Sequence, residues 1–327
     1  MLNTLTALIS LPLLYLSGLF YFQLADKYNI IDKPNERSSH NTITIRGGGV
    51  IFIIAALIFF VLSGFQYPYF FAGLIGVSTV SFLDDIYTLP NRYRLPFQFF
   101  SILAIFYQLK VFLPDSIVFV VIALIVCVGI MNAYNFMDGI NGITGGYSLL
   151  LIFTLYIINN FSVNFIENEF LQVLISGLLV FNYFNFRNKA MCFAGDVGSI
   201  SMAVIILFLL LKLILQTQNY IFILLLLVYG IDSSLTIIQR LWRKENIFKA
   251  HRLHLFQLMV SEWKLKHIST TLLYLLAQLI INMGVFMSFQ QEIFIQKAVS
   301  IGLIVFFGLL YIYLKSQILK TKNNLKH

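Results

Sequence analysis

Two aspartates stand side by side at Asp84 and Asp85, in SFLDDIYTLPNRYRLPFQ. Adjacent carboxylates repel, and when held close at least one takes up a cation or a proton to relieve the repulsion. A divalent metal is the obvious partner; two solvated acids ending a helix are the plain alternative. Pro90, Asn91, Arg92 and Arg94 follow and read as a tight basic loop suited to phosphate. In NFMDGINGITGG, Asn135 and Asp138 are three apart and share a helical face, after which four glycines relax the backbone. Amide side chains at such a place read a nucleobase edge or complete a magnesium shell, or they simply cap a polar helix end. GDVGS puts Asp196 between glycines in a loop opening the next apolar run. There an acid binds a metal while the following amides face a pyrophosphate, unless it is an ordinary N-cap. His251 and His254 are three apart, with Arg252 beside them and Gln257 three further on, a set suited to phosphate or sugar oxygens. No third ligand of matching spacing supports zinc there.

These residues need elements to carry them, and composition says what kind. Apolar residues make up 59% of the 327 positions and charged residues 11%, against about 25% charged in an average soluble domain. Eleven runs approach the roughly 20 apolar residues that cross a bilayer, at about 4–24, 48–65, 67–83, 96–113, 116–133, 145–160, 169–186, 199–217, 219–239, 268–288 and 296–315. The sixth is interrupted by Asn159 and Asn160, which leaves ten spans as the other count. The expected fold is therefore an all-α, polytopic transmembrane bundle forming one domain over 1–327.

Basic residues are retained on the cytoplasmic side of membrane proteins. Lys27, Lys33, Arg37 and Arg46, then Arg92 and Arg94, Arg187 and Lys189, the Arg240–Lys266 cluster, and Lys320, Lys322 and Lys326 all fall on one side if the N-terminus is outside and the C-terminus cytoplasmic. The net charge of +8 then reflects topology, and nucleic acid is not an expected partner. Every acid and histidine above falls at a cytoplasmic helix end, whereas a transporter places its ionisable groups near mid-membrane. Lys110 and Lys212 lie near outer helix ends, where lysines snorkel to the interface. Cys127 and Cys192 are placed for neither a disulfide nor a metal site.

Taken together and in this order, DD, NFMDGINGI, FAGDVGS and HRLH resemble the polyprenyl-phosphate N-acetylhexosamine-1-phosphate transferase family, with the likeness running from KPNERSSH near the N-terminus to HRLHLFQ. The resemblance implies a UDP-N-acetylhexosamine donor, undecaprenyl phosphate as acceptor, Mg2+ (or Mn2+) as cofactor, release of UMP, and an active site on the cytoplasmic face of a bacterial inner membrane. By motif, Asp84 and Asp85 correspond to the catalytic acids and Asp196 to the metal-binding aspartate. Asn135 falls at the metal and nucleotide site, Asp138 belongs to the same motif, and Phe193 resembles a residue stacking on uracil. His251, Arg252 and His254 are expected to bind substrate. Asn141 stands where many bacterial members carry Asp. HRLHLFQ replaces the triple histidine of the peptidoglycan enzyme and resembles the subgroup that initiates O-antigen and related lipopolysaccharide glycans, with GlcNAc or a 6-deoxy-N-acetylhexosamine. Phospho-MurNAc-pentapeptide transfer is the alternative within the family, and a transporter or lipid flippase the alternative outside it. A homodimer is compatible with either.

Overall fold

In hydrocarbon every backbone N–H and C=O must be satisfied within the chain, which leaves helices as the form for isolated apolar runs. A computed structural model describes residues 2–32, 44–111, 117–246 and 252–324, and it is an all-α bundle. Its helices are α1 (Leu2–Lys27), α2 (Val50–Leu62), α3 (Pro68–Tyr87), α4 (Asn91–Gln108), α5 (Ile117–Met137), α6 (Ile143–Phe161), α7 (Asn168–Asn185), α8 (Gly195–Thr217), α9 (Leu227–Trp242), α10 (Leu255–Ser261), α11 (His267–Ser288) and α12 (Ile293–Asn324). A 3-10 helix, Tyr220–Leu226, runs directly into α9. Among the described residues, seven segments are long and apolar enough to cross a membrane; α2 is apolar but only 13 residues long.

Each predicted run is a helix, and only the short α10 lacks a run of its own. The sixth run is unbroken as α6, because the buried Asn159 side chain is satisfied by the loop that follows. Its Oδ1 accepts from Phe165 N (2.8 Å) and Ile166 N (3.0 Å), and its Nδ2 donates to Ile166 O (2.8 Å). The expected basic loop at Pro90–Arg94 is instead the start of α4. Pro90 stands at the N-cap with its φ at −59°, a value proline fixes and a helix entry accepts, so Arg92 and Arg94 sit on the first turn.

The most buried helix is α8, packed against α2, α3 and α5. Ser78 on α3 and Ser201 on α8 share a buried hydrogen bond of 2.8 Å. The 3-10 stretch leaves backbone groups that α-geometry would have paired. Gln278 of α11 takes them up: its Nε2 donates to Leu224 O (3.0 Å), and its Oε1 accepts from Val228 N (3.1 Å) and Tyr147 Oη (2.6 Å). Non-helical backbone at membrane depth survives where protein covers it in this way. The outer faces of α5, α11 and α12 expose Ile122, Ile125, Leu276, Phe306 and Leu309, a surface that suits lipid and not water.

The N-terminal connection departs from pure helix. Ile31–Asp32 and Thr44–Ile45 form a two-stranded antiparallel ladder, and Ile45 bridges in parallel to Cys192. Gly48 N donates to Phe193 O (2.8 Å), Gly49 N to Ala194 O (3.0 Å) and Phe193 N to Ile45 O (2.8 Å). This backbone pairing delays the start of α2 and draws it onto α8. A Cβ on Gly49 would lie 2.2 Å from the Gly198 Cα, so the two helices meet at a distance only glycine permits.

Candidate active site

The acids predicted to work together do converge. At the C-terminal end of α3, the two neighbouring aspartates point to different tasks. Asp85 is fully buried and accepts Asp196 N and Val197 N, each at 2.9 Å, from the first turn of α8. It also pairs with Arg46 Nε at 2.8 Å. A carboxylate on the free amides of a helix start is favourable through both hydrogen bonding and the helix dipole. The amides that the sequence reading aimed at a pyrophosphate are therefore held by Asp85, and Asp196, itself in that first turn, does not act as their cap. Gly195 makes this possible: its φ is +73°, and a Cβ there would stand 2.5 Å from Asp85 Oδ2.

Asp84 looks the other way. Its Oδ2 pairs with Arg94 Nη1 at 2.8 Å, its Oδ1 accepts from Leu89 N, and it lies in hydrogen-bond contact with Asp196. Arg94 Nη2 reaches Asp196 Oδ2 at 3.3 Å, and Arg46 Nη2 stands 4.0 Å from Asp196 Oδ1. Asn135 completes the group from the end of α5. In the amide orientation that satisfies every neighbour, its nitrogen donates to Asp196 Oδ1 (3.1 Å) and Ser199 Oγ (2.8 Å), and its oxygen accepts from Arg94 Nη2 (3.1 Å). Burial alone would lower the Arg46 pKa, but the carboxylates of Asp85 and Asp196 outweigh it and hold the guanidinium above its ordinary value. Asp138, just beyond α5, accepts from Thr144 Oγ1 at 2.7 Å. Burial pushes it from 3.8 up to about 6, against the lowering effect of that hydroxyl.

Arg46, Asn135, Asp138 and Asp196 of this group line a cavity of 630 Å³, together with Asp32, Asn141, Phe193, Arg252, Gln257, Ser261 and Lys264, whereas Asp84, Asp85 and Arg94 stand behind that lining. Asn141 and Asn185 shape its floor. Asn141 Nδ2 donates to Arg187 O (2.8 Å) and Asn188 O (3.2 Å), while its buried Oδ1 has no partner among the described residues. Asn185 ties the loop before α6 to the loop before α8, accepting from Gly142 N (2.7 Å) and donating to Cys192 O (2.8 Å). Both cysteines are free and buried, and burial pushes the Cys192 thiol up, which keeps it unreactive.

Some expectations are redrawn. His254, read as a phosphate or sugar ligand, is 2% exposed and does not line the cavity; its Nδ1 lies 3.2 Å from Asp232 Oδ1, and it caps α10. Its neighbour Arg252 does line the wall. His251 and the KPNERSSH segment lie outside the described residues. Lys212 does not snorkel to the interface; it donates to Tyr67 Oη and sits 4.3 Å over the Tyr67 ring. Arg46 was legible only as a topology charge. The signal that would have singled it out is the run of three glycines behind it, which marks close backbone approach. Asp32, Asn185 and Ser199 carry no such signal.

Residues 67–214, the stretch that holds Asp84, Asp85, Asn135, Asp138 and Asp196, match the family described as glycosyl transferase family 4. The chain is 27% identical over 227 residues to the phospho-N-acetylmuramoyl-pentapeptide-transferase of Dictyoglomus turgidum, which covers 63% of this chain and 72% of the relative. It is 24% identical over 273 residues to the probable undecaprenyl-phosphate N-acetylglucosaminyl 1-phosphate transferase of Bacillus subtilis, covering 78% and 76%. It is 28% identical over 260 residues to the undecaprenyl-phosphate alpha-N-acetylglucosaminyl 1-phosphate transferase of Thermotoga maritima, covering 73% and 77%. The stretch similar to glycosyl transferase family 4 coincides with the converging acids.

Proposed function

We propose that the protein is a membrane enzyme that transfers an N-acetylhexosamine 1-phosphate from a UDP-sugar to undecaprenyl phosphate and releases UMP, as the first step of a surface glycan such as O-antigen. The observation that carries this reading is the meeting of Asp84, Asn135, Asp196, Arg46 and Arg94 at one end of the bundle, beside a cavity large enough for a nucleotide-sugar. Phosphoryl transfer asks mainly for positioning and charge neutralisation, and this group supplies both.

Among the described residues no three His, Cys, Asp or Glu side chains form a closed metal cage. Magnesium is ordinarily held by one or two carboxylates together with substrate phosphates, and the oxygens of Asp196 and Asn135 fit that partial shell. Five carboxylates, Asp32, Asp84, Asp85, Asp138 and Asp196, share this end with Arg46, Arg94, Arg252 and Lys264, a surplus of one negative charge when all are ionised. Mg2+ (or Mn2+) held by Asp196 and Asn135 would draw charge from the donor's pyrophosphate as the reaction proceeds.

In this reading an oxygen of the acceptor phosphate forms the new bond to the sugar-bearing phosphorus, and the bond from that phosphorus to the UMP oxygen breaks. Asp84 orients the acceptor and takes a residual proton from it. Asp85, with its oxygens on the α8 amides and Arg46, holds Asp196 in place. Arg94 balances charge between Asp84 and Asp196. Phe193 stacks on the base, Asp138 and Arg252 face the nucleotide, and the unpartnered Oδ1 of Asn141 accepts from a donor N–H. The acceptor is already anionic, which favours a single displacement. The site faces the cytoplasm of a bacterial inner membrane, where nucleotide-sugars reside.

Washed membranes carrying the chain, given radiolabelled UDP-GlcNAc, undecaprenyl phosphate and Mg2+, should yield a lipid-extractable sugar phosphate and UMP. A panel including UDP-MurNAc-pentapeptide tests the second donor class, which the names of several relatives support equally. No lipid-linked product from any donor, with solute flux in proteoliposomes, would replace the reading with transport.

A further inference from the structure

Behind the cavity wall formed by α10 lies a buried polar network that the reaction outlined above does not use. Asp232 on α9 is 1% exposed and is absent from the cavity lining. Its Oδ1 accepts from Leu255 N at 3.0 Å and lies 3.2 Å from His254 Nδ1; its Oδ2 accepts from Tyr274 Oη at 2.7 Å and lies 3.1 Å from the same Leu255 N. Thr236 Oγ1 donates to Asp232 Oδ1 at 3.3 Å, and Lys315 of α12, 5% exposed, donates to Thr236 Oγ1 (3.0 Å) and Tyr311 Oη (2.7 Å). One carboxylate thus joins α9, α11 and α12 to the first turn of α10.

A buried carboxylate is costly and persists where something is gained by its geometry. What it fixes here is a helix of only seven residues, too short to hold itself by helix propensity. The residues on and flanking that helix, Arg252, Gln257, Ser261 and Lys264, line the same cavity as Asn135 and Asp196. His254 links the two: its ring meets Asp232, while its backbone N donates to Gln257 Oε1 at 3.3 Å. We propose that Asp232 is a positioning residue that sets this wall for donor binding through His254 and the Leu255 amide, without touching substrate. The assignment rests on the transferase reading for its consequence and on the hydrogen bonds alone for its mechanics.

The test uses the full chain in detergent, with Asp232→Asn and the milder Tyr274→Phe, which deletes the 2.7 Å bond only. Hydrogen exchange of amides 255–261 is expected to quicken by about tenfold or more in Asp232→Asn, with α3 and α8 unchanged. With UDP-GlcNAc as the probe donor, KM should rise by about tenfold while kcat changes by less than about threefold, and Tyr274→Phe should move both readouts in the same direction by less. Unchanged exchange at 255–261, loss of protection throughout the bundle, or a fall in kcat with KM unmoved would each overturn the assignment. If Asp232→Asn does not fold, the Tyr274→Phe comparison decides alone. A parent chain that transfers nothing from any donor overturns the transferase reading, and the exchange comparison still decides whether Asp232 holds the wall.

Discussion

At the end of the bundle away from the cavity, Tyr67 donates to Glu167 at 2.7 Å, and Lys212 donates to the same tyrosine hydroxyl. Burial and the neighbouring Glu167 together push the Tyr67 hydroxyl well above its ordinary pKa. That cluster has one acid and one base and closes on itself. At the cavity end, five carboxylates, Asp32, Asp84, Asp85, Asp138 and Asp196, share the site with Arg46, Arg94, Arg252 and Lys264, and Asp138 and Asp196 are open to a 630 Å³ space. A balanced cluster needs nothing further, whereas a surplus of negative charge beside a cavity calls for a cationic partner. Charge balance, and not the mere presence of buried charged groups, distinguishes these two clusters.

The sharpest way to break that contrast is Asp196→Asn, which should cut turnover by roughly a thousandfold or more while the chain still inserts in the membrane. Near-normal transfer by washed membranes would dissolve the distinction. Next in size, Gly195→Ala forces a side chain into a φ of +73° and against Asp85. It should lower activity by about a hundredfold through displacement of the α8 start, and should lower the thermal midpoint as well. At the far end, Glu167→Gln with Lys212→Met should leave kcat and KM within about twofold of the parent and shift Tm by a few degrees. A large loss of transfer there would mean the two ends are coupled.

The smallest effect is a pH dependence. Asp138 is raised from 3.8 to about 6 by burial, so the folded chain holds this proton more tightly than the unfolded one. Its contribution is fully present below 3.8 and is lost as pH rises through about 6. Thermal unfolding across that window should show a downward slope with rising pH that flattens in Asp138→Asn.

Much of this was readable from residue order. The helices follow from the apolar runs, and the acids from their placement at run ends; of the eleven runs, seven give segments long and apolar enough to cross a membrane among the described residues. Even the interrupted sixth run was a matter of what satisfies Asn159. What the pattern of types missed was set by contacts between distant segments. DD reads as two equivalent acids, yet Asp85 faces the α8 amides and Asp84 faces Arg94 and Asp196, because successive helical residues point about 100° apart and the two lie between different neighbours.

The sequence by itself determined that the chain is a membrane bundle with acids, amides and bases gathered at one end, since hydropathy and charge act locally along a chain. Only the tertiary structure decided that Arg46 belongs to the acid cluster, that His254 serves Asp232, and that Lys212 answers Glu167 through Tyr67. Partner choice depends on which side chains are brought within about 3 Å, and that distance is fixed by helix packing across as many as 145 positions of sequence separation.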